Sequence, residues 1–407
     1  MPTLPQTGAP HKLAEVDWAA ALEADMQVVV RHAIEHIVDA ELTALLGPRY
    51  VRDEARVGYR HGTKVRTVTS PVGAVTVILP RARLQTTDGR AEWESQVLPA
   101  YARRMRQVNA ALLQVYLCGG NSRRIRGALK PLLQSRALSR SAISRIVQGL
   151  KAQVEAWQTR SLAALDLVYL YLDGFHLRVR LGGRVSPVPV LAVLGVRRNG
   201  QKVLVHLSLR GSESTTAWQA VCEDLAARGV RAPHLCILDG GPGLRAAVEQ
   251  TWPAAAIQRC TVHKLRNLLT HAPRRLHDEL RADYHAIVMA EDGAAARCAY
   301  TAFGRKWTKT CAGAVKSLDE AGAELLTMYR YPRSQWKSLR STNGLERLNL
   351  EFRRRVKAQG SLPSEAAVLA LLFGLVATGQ IVFRKLDGWQ DMAIALTSPA
   401  PNAKEAA

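Results

Sequence analysis

Polar and apolar positions change their period repeatedly along the 407 residues of this chain, and each change predicts an element. Between Val16 and Leu46 the apolar residues Ala20, Met26, Val29, Val30, Ala33, Ile34 and Ile37 recur at helical spacing. After a Gly/Arg-rich stretch at Gly58-Tyr59-Arg60-His61-Gly62, Lys64 to Pro80 alternates polar residues with Val65, Val68, Val72, Val75, Val77 and Leu79. That alternation predicts a small hairpin, closed by Pro80-Arg81-Ala82-Arg83. Helical spacing returns at Val108 to Tyr116. It recurs from Arg123 to Leu133 behind an Asn121-Ser122 cap, and from Ala142 to Val154 behind Ser139 or Ser141.

From Leu165 a strand-like period takes over. Leu167 to Asp173, Phe175 to Val179, Pro187 to Val196 and Lys202 to Leu209 are candidate strands, the last pair joined through Arg197-Arg198-Asn199-Gly200 with an Asn-Gly turn. A helix from about Ser214 to Ala227 follows, then a strand from Leu235 to Leu238. Gly240-Gly241-Pro242-Gly243 opens another helix, and Ala256 to Cys260 is a further strand. Residues 270–340, with Trp307 and Trp336, read as helical. Antiparallel strands followed by alternating helix and strand is the order of a ribonuclease H-like α/β core. The expected organisation is 1–100, an N-terminal helical segment and β-hairpin; 101–160, a helix-turn-helix-like region; 161–269, the first part of the core; 270–340, an all-α insertion; and 341–397, C-terminal helices completing the core. Residues 1–12 and 398–407 are polar and Pro-rich, and are expected to be disordered.

Charge changes this picture most. Fifty-six Lys and Arg against thirty-four Asp and Glu leave a net charge of +22, which points to a polyanionic partner. The distribution sharpens the point, because Tyr101 to Val154 contains no acidic residue but holds Arg103, Arg104, Arg106, Arg123, Arg124, Arg126, Lys130, Arg136, Arg140, Arg145 and Lys151. Short helices, serine caps and exposed arginines match helix-turn-helix anatomy, with a plain helical bundle on a basic surface as the alternative. Arg123, Arg124, Arg126 and Arg145 are the candidate DNA contacts there. The six cysteines have no framework spacing, and Cys118, Cys222, Cys236 and Cys260 lie in apolar or strand-like surroundings, the pattern of reduced, buried thiols. The longest apolar run, Ala366 to Val376, is too short to span a bilayer, and the N-terminus lacks a signal-like core, so a cytoplasmic, nucleoid-associated protein is expected.

Two apolar runs end in aspartate: Leu167 to Leu172 leads into Asp173, and Leu235 to Leu238 into Asp239. Strands that end this way deliver charge to the edge of a sheet. Glu346 follows on an arginine-dense helix beginning near Thr342-Asn343. Phosphodiester chemistry needs an activated oxygen nucleophile and a stabilised leaving oxygen, which two divalent ions held by carboxylates supply. Asp173 is placed to bridge both ions, with Asp239 on one and Glu346 on the other. Asp166 starts rather than ends its apolar run, and Glu351 sits among arginines with which it would pair, so neither displaces these three. Arg347, Arg353, Arg354 and Arg355 would hold phosphates beside Glu346. Cys260-Thr261-Val262-His263 invites a zinc reading, but no second pair of fitting spacing is near. His263 is read instead as orienting the active site, with Cys260 a packed thiol. The glycines after Asp239 lack the Walker lysine and dinucleotide spacing, so no nucleotide cofactor is expected. His176 is placed on an edge-like strand facing the substrate.

Tyr171-Leu172-Asp173-Gly174, Leu238-Asp239-Gly240, the block from Gln258 to Asn267 (QRCTVHKLRN) and Ser341 to Asn349 (STNGLERLN) together resemble the Mutator-type transposase family, in its bacterial insertion-sequence branch with an Asp-Asp-Glu active site. Weaker echoes at Arg60-His61-Gly62, Leu79 to Arg83 and Asn121 to Ile125 extend the likeness over nearly the whole chain. The family usually has Arg-Asn-Gly-Tyr near residue 60 and often Ala-Ile-Glu-Ser around Glu346; this chain departs at both places and keeps every carboxylate. The resemblance implies Asp173, Asp239 and Glu346 as the triad, with Cys260 and His263 as the Cys-x-x-His signature. It also implies Mg²⁺ (Mn²⁺ as substitute), two ions per site, and double-stranded DNA as partner, both terminal inverted repeats and target. A homodimer or higher homo-oligomer on DNA is expected, without membrane or nucleotide cofactor. The alternatives are a domesticated, non-catalytic DNA-binding regulator and a structure-specific nuclease on the same fold.

Overall fold

The computed structural model describes residues 17–51, 57–86, 89–119, 125, 140–181, 184–209, 214–359, 362 and 364–397. The chain divides into two compact units, residues 1–116 with 121–146, and residues 117–120 with 147–407.

In the first unit, α1 (Trp18–Leu46) begins at Asp17, whose carboxylate accepts from the amides of Ala19 and Ala20. Ile34, Val38, Leu42 and Leu46 recur every fourth residue and bury one face. They meet Val68, Val75, Val77 and Leu79 of a sheet built from β1 (Gly58–Ser70), β2 (Gly73–Thr86) and β3 (Gly89–Glu92). The expected hairpin is therefore longer and three-stranded. Pro80 does not end β2, because its partner Thr63 adjoins a bulge after Arg60 where the ladder is already interrupted. Two helices of the basic region are present, α2 (Arg106–Leu117) and α3 (Arg140–Thr159). The intervening helix expected at Arg123 to Leu133, and the Asn121-Ser122 cap, lie outside the described residues apart from Ile125, as do the expected disordered stretches 1–12 and 398–407.

The second unit is built on a five-stranded sheet ordered β6-β5-β4-β7-β8, from β4 (Leu167–Leu181), β5 (Arg184–Arg197), β6 (Lys202–Leu209), β7 (Leu235–Leu238) and β8 (Ala256–Arg259). β4, β5 and β6 are antiparallel neighbours, while β7 runs parallel to β4 and β8 parallel to β7. Leu167 to Asp173 and Phe175 to Val179, expected as separate strands, are one continuous β4. Asp173 lies inside it, opposite Ala192, because β5 goes on pairing to Leu181. The parallel partner stops at Leu172–Leu238, so on that side Asp173 does follow the last paired residue.

Alternation along β4 decides which face carries what. Leu170 and Leu172 enter a core with Leu191, Val193 and Val205, covered by Trp218, Val221 and Cys222 of α4 (Thr215–Ala227) and by Leu244 and Val248 of α5 (Pro242–Thr251). Tyr169 and Tyr171 face the other way, donating through their hydroxyls to Gln335 Oε1 (2.8 Å) and the Ser338 carbonyl (3.0 Å). Asp173 shares their parity. From Thr261 to Leu339 the regular elements are all helical: α6 (Thr261–Thr270), α7 (His277–Val288), α8 (Gly293–Trp307), α9 (Ala312–Ala321), the 3-10 turns of Gly322–Arg330 and α10 (Trp336–Leu339). Buried Gln258 fixes this region to β8 by donating to the Leu325 carbonyl and accepting from the Met328 amide. α11 (Asn343–Gln359) then crosses β4, with Phe352 6.3 Å from Phe175. The apolar run at Ala366 to Val376 forms α12 (Glu365–Ala377), a core helix buried nearly all round, with Phe373 against Trp157. Among the described residues no helix is long and apolar enough to cross a membrane.

The β5–β6 turn forms as expected, with the Gly200 amide donating to Arg197 O and Gly200 at φ +79°. A Cβ there would stand 2.2 Å from Trp389 Cβ. Gly200→Ala should therefore destabilise the second unit by about 1–3 kcal/mol, and an unchanged melting temperature would contradict this packing.

Candidate active site

Asp173 and Asp239 occupy matched places, each one residue beyond the Leu172–Leu238 pair that ends the β4–β7 ladder. Asp173 is 4% exposed. Asp239 opens a tight turn: its Oδ1 accepts from the Gly241 amide at 3.0 Å, and Gly240 takes φ +96°. Glu346 lies in the first turn of α11, where its amide donates to the Thr342 carbonyl. Its Oε1 accepts from Arg266 Nη1 at 3.0 Å and lies 3.6 Å from His263 Nε2. A cleft of about 400 Å³ is lined by Asp173, His176, His263, Arg266, Glu346 and Arg353, among others. Asp239 is not part of that lining; it bears on Asp173 through charge.

The electrostatics follow from this crowding. Burial pushes the Asp173 carboxyl up to about 8, and Asp239 and Glu346 push the same way against the opposing pull of His263. His263 is itself raised to about 9, first by the Cys260 sulfur beside it and then by Asp173 and Asp239, with burial opposing. Burial works to raise the Cys260 thiol, but His263 and Thr342 outweigh it and the thiol is lowered. Cys260 caps α6 while the Thr342 amide and hydroxyl point at its sulfur at 3.4 and 3.5 Å, so one buried atom ties the start of α6 to the start of α11.

Three carboxylates with no sulfur or imidazole majority suit a hard divalent cation in donor chemistry. Among the described residues no three acidic, His or Cys side chains are yet close enough together to grip an ion. Glu346 would have to exchange its Arg266 partner to take part.

The other expected site residues are spread out. Arg353 lines the cleft; Arg347 and Arg354 are exposed on α11 without lining it; Arg355 is half-buried. Glu351 pairs with Arg354 at 2.9 Å, and Asp166, in a left-handed conformation after the 3-10 turn Ala163–Leu165, pairs with Arg198. Arg145 is exposed in the first unit, and Arg123, Arg124 and Arg126 lie outside the described residues. His176 pairs with Pro189 of β5, beyond the Leu172–Leu238 pair that ends the β4–β7 ladder, so its stretch of β4 is edge-like as expected. One expectation about the cysteines is corrected. Cys118 is exposed at the end of α2, whereas Cys222, Cys236 and Cys260 are buried. Sequence reasoning missed Arg266, which follows His263 by three residues and so shares its helix face, and the buried cations Arg259 and Lys264.

Residues 9–383 match the family described as Transposase, Mutator family. The chain is 31% identical to the transposase for insertion sequence element ISRM5 of Rhizobium meliloti (strain 1021), over 86% of each chain. It is 37% identical to the transposase for insertion sequence element IS6120 of Mycolicibacterium smegmatis, over 67% of this chain and 84% of that one. A transposase for insertion sequence element IS256 in transposon Tn4001, from Staphylococcus aureus, is 29% identical over 84% of each. These likenesses define the class, a transposase and hence a DNA-processing enzyme. More narrowly, the chain belongs to the Mutator family of transposases.

Proposed function

We propose that this protein binds the terminal inverted repeats of an insertion sequence and carries out metal-dependent cleavage and strand transfer of DNA, with Asp173, Asp239 and Glu346 as the catalytic carboxylates. The observation that carries the reading is the matched placement of Asp173 and Asp239 at the end of the β4–β7 ladder, with Glu346 lining the same cleft as Asp173. The sheet order supports a ribonuclease H-like core, into which the helices between β8 and α11 are inserted. A regulator that only binds DNA has no use for three carboxylates that repel phosphate.

The residues divide the work. Asp173, Asp239 and Glu346 would hold two Mg²⁺ (or Mn²⁺) ions, which supply a nucleophile at neutral pH and charge stabilisation at the leaving oxygen. Burial keeps water from the Asp173 carboxyl. Burial first, and Asp239 and Glu346 after it, raise the proton affinity of that carboxyl, while His263 opposes them. His263 and Arg266 pair with Glu346 and would meet a phosphate once Glu346 turned toward the metal. Cys260 keeps the two helix starts in register. The protein acts in the cytoplasm on nucleoid DNA, as a homodimer or larger homo-oligomer. With a duplex carrying the element's end, Mg²⁺ should yield cleavage at the repeat boundary and chelation should leave binding without cleavage; cutting that persists in chelator would overturn the reading.

Arg353 and Arg354 should contact phosphate rather than base edges. Their replacement by alanine is expected to weaken binding to repeat and random duplexes alike and to lower the salt slope by about 0.9 per lost contact. Arg145→Ala should instead reduce the ratio between repeat and random DNA, since a base-reading arginine is worth about 1–3 kcal/mol of discrimination. Binding titrations at several salt concentrations separate the two; a repeat-selective loss in the Arg353/Arg354 variant would contradict the assignment.

A further inference from the structure

Directly behind the Asp239 turn lie two buried cations that the proposed chemistry does not use. Arg259, at the end of β8, is 2% exposed, and Lys264, in the second turn of α6, is 1% exposed. Such charges are tolerated inside a protein only with close partners, because desolvation costs several kcal/mol for each ion. Both converge on Glu320 of α9. Arg259 Nη2 lies 2.9 Å from Glu320 Oε1, and Lys264 Nζ lies 2.6 Å from Oε2 while also donating to the Ser317 carbonyl. The next carboxylate, Glu324, is 3.7 Å from Arg259 Nη1, too far to satisfy it: Arg259 Nε and Nη1 and Glu324 Oε2 are all buried without a hydrogen-bond partner. Among the described residues, Glu320 is therefore the anion within hydrogen-bond reach of both cations.

Each cation leads to a different part of the site. Arg259 Nη2 donates to the Gly240 carbonyl at 3.1 Å, and a Cβ on Gly240 would fall 2.1 Å from that same nitrogen. The guanidinium thus lies flat against the peptide that follows Asp239, so a side chain at 240 would collide with it as well as strain the backbone at φ +96°. Lys264 follows His263 directly and precedes Arg266, the two residues that meet Glu346. Glu320 itself is half exposed and belongs to the helical stretch after β8, not to the sheet.

We propose that Glu320 is a positioning residue for the carboxylate site: through Arg259 it fixes the turn that carries Asp239, and through Lys264 it fixes the part of α6 that carries His263 and Arg266. The proposal rests on the reading of Asp173, Asp239 and Glu346 as metal ligands. It gives the helical stretch a task in the site, since α9 delivers the one charge that both arms of the site share. With Glu320 neutral, the Arg259 charge has no full partner and is left with Glu324 at 3.7 Å and the Gly240 carbonyl of the Asp239 turn. The geometry of Asp239 then loosens.

The test uses the full chain with a bound end duplex, Mn²⁺ as the probe, and electron paramagnetic resonance to count free ion against a DNA-only control. Glu320→Gln should raise the Mn²⁺ concentration for half-saturation about tenfold or more. The Mg²⁺ concentration for half-maximal cleavage should rise in parallel, and affinity for the end duplex should stay unchanged. A folded Glu320→Gln variant that binds Mn²⁺ as tightly as wild type, whatever its melting temperature, would overturn the proposal. Should that variant lose its cooperative melt, Arg259→Lys decides on the same two outcomes, because lysine keeps the charge but cannot span Gly240 and Glu320 together. A wild-type chain that takes up no Mn²⁺ would refute the metal-ligand reading itself, a result distinct from wild-type uptake that the variants leave unaltered.

Discussion

Asp173→Asn is expected to leave a protein that still binds its element's ends and no longer cuts them. A metal-organised carboxylate site stabilises transition-state charge by several kcal/mol, so its loss should lower the cleavage rate about a thousandfold or more. Folding should not suffer. Burial, with Asp239 and Glu346 adding to it, holds the Asp173 carboxyl up to about 8 against the pull of His263, so a neutral amide of the same shape relieves more desolvation and repulsion than the attraction it gives up. Affinity for DNA should hold, because a carboxyl held up to about 8 carries little charge near neutral pH for the amide to remove. Cleavage-product yield and fluorescence anisotropy on one labelled duplex measure both quantities. Wild-type cleavage by the asparagine variant would remove Asp173 from the mechanism.

The largest expected effect on stability is at Trp218. This indole of α4 is 1% exposed and packs in the core beneath β4, with Leu170, Leu172, Val221 and Leu244 in the same cluster. Truncation to alanine removes that contact and leaves a cavity between helices and sheet. Large aromatic-to-alanine changes of this kind cost about 3–5 kcal/mol. The loss falls on the face of the sheet opposite Tyr169 and Tyr171, which donate to the helical side. Trp218→Ala should therefore lower the unfolding temperature of the second unit and leave cleavage intact well below it. Calorimetry resolves the two units where a single two-state midpoint would not. A melting profile like that of wild type would mean that this core is not what holds the sheet.

How much of this could be seen in the sequence depended on how local the cause was. The runs Leu167 to Leu172 and Leu235 to Leu238 are apolar on both faces, as befits strands covered on both sides, and they became neighbouring parallel strands. Asn199-Gly200 specified its turn, and of the two serines that could cap α4, Ser212 or Ser214, it is Ser214 that accepts from the Ala217 amide. What escaped was set by distant partners. β4 runs on past Asp173 because β5 supplies hydrogen bonds as far as Leu181, and nothing near Asp173 announces this. β2 passes through Pro80 because a bulge in β1 falls opposite. Cys118 shares apolar neighbours with Tyr116 and Leu117 yet lies exposed beside Gln380, a partner far along the chain. The same holds in the site. His263 and Glu346 were legible as types at strand and helix ends, but the pairing of Arg266 with Glu346, and of Arg259 and Lys264 with Glu320, spans more than fifty residues in each case. Charge pairing across such separations leaves no periodic trace.

The central claim is that Asp173, Asp239 and Glu346 converge on divalent metal when DNA is bound. Its most direct test is a crystal of the protein with its terminal repeat, soaked in Mn²⁺ and measured for anomalous scattering. The account predicts two manganese peaks about 3.5–4 Å apart, with Asp173 touching both, Asp239 and Glu346 one each, and Arg266 released from Glu346. Manganese bound elsewhere, or Asp173 and Asp239 carboxylates directed to opposite faces of the sheet, would contradict it.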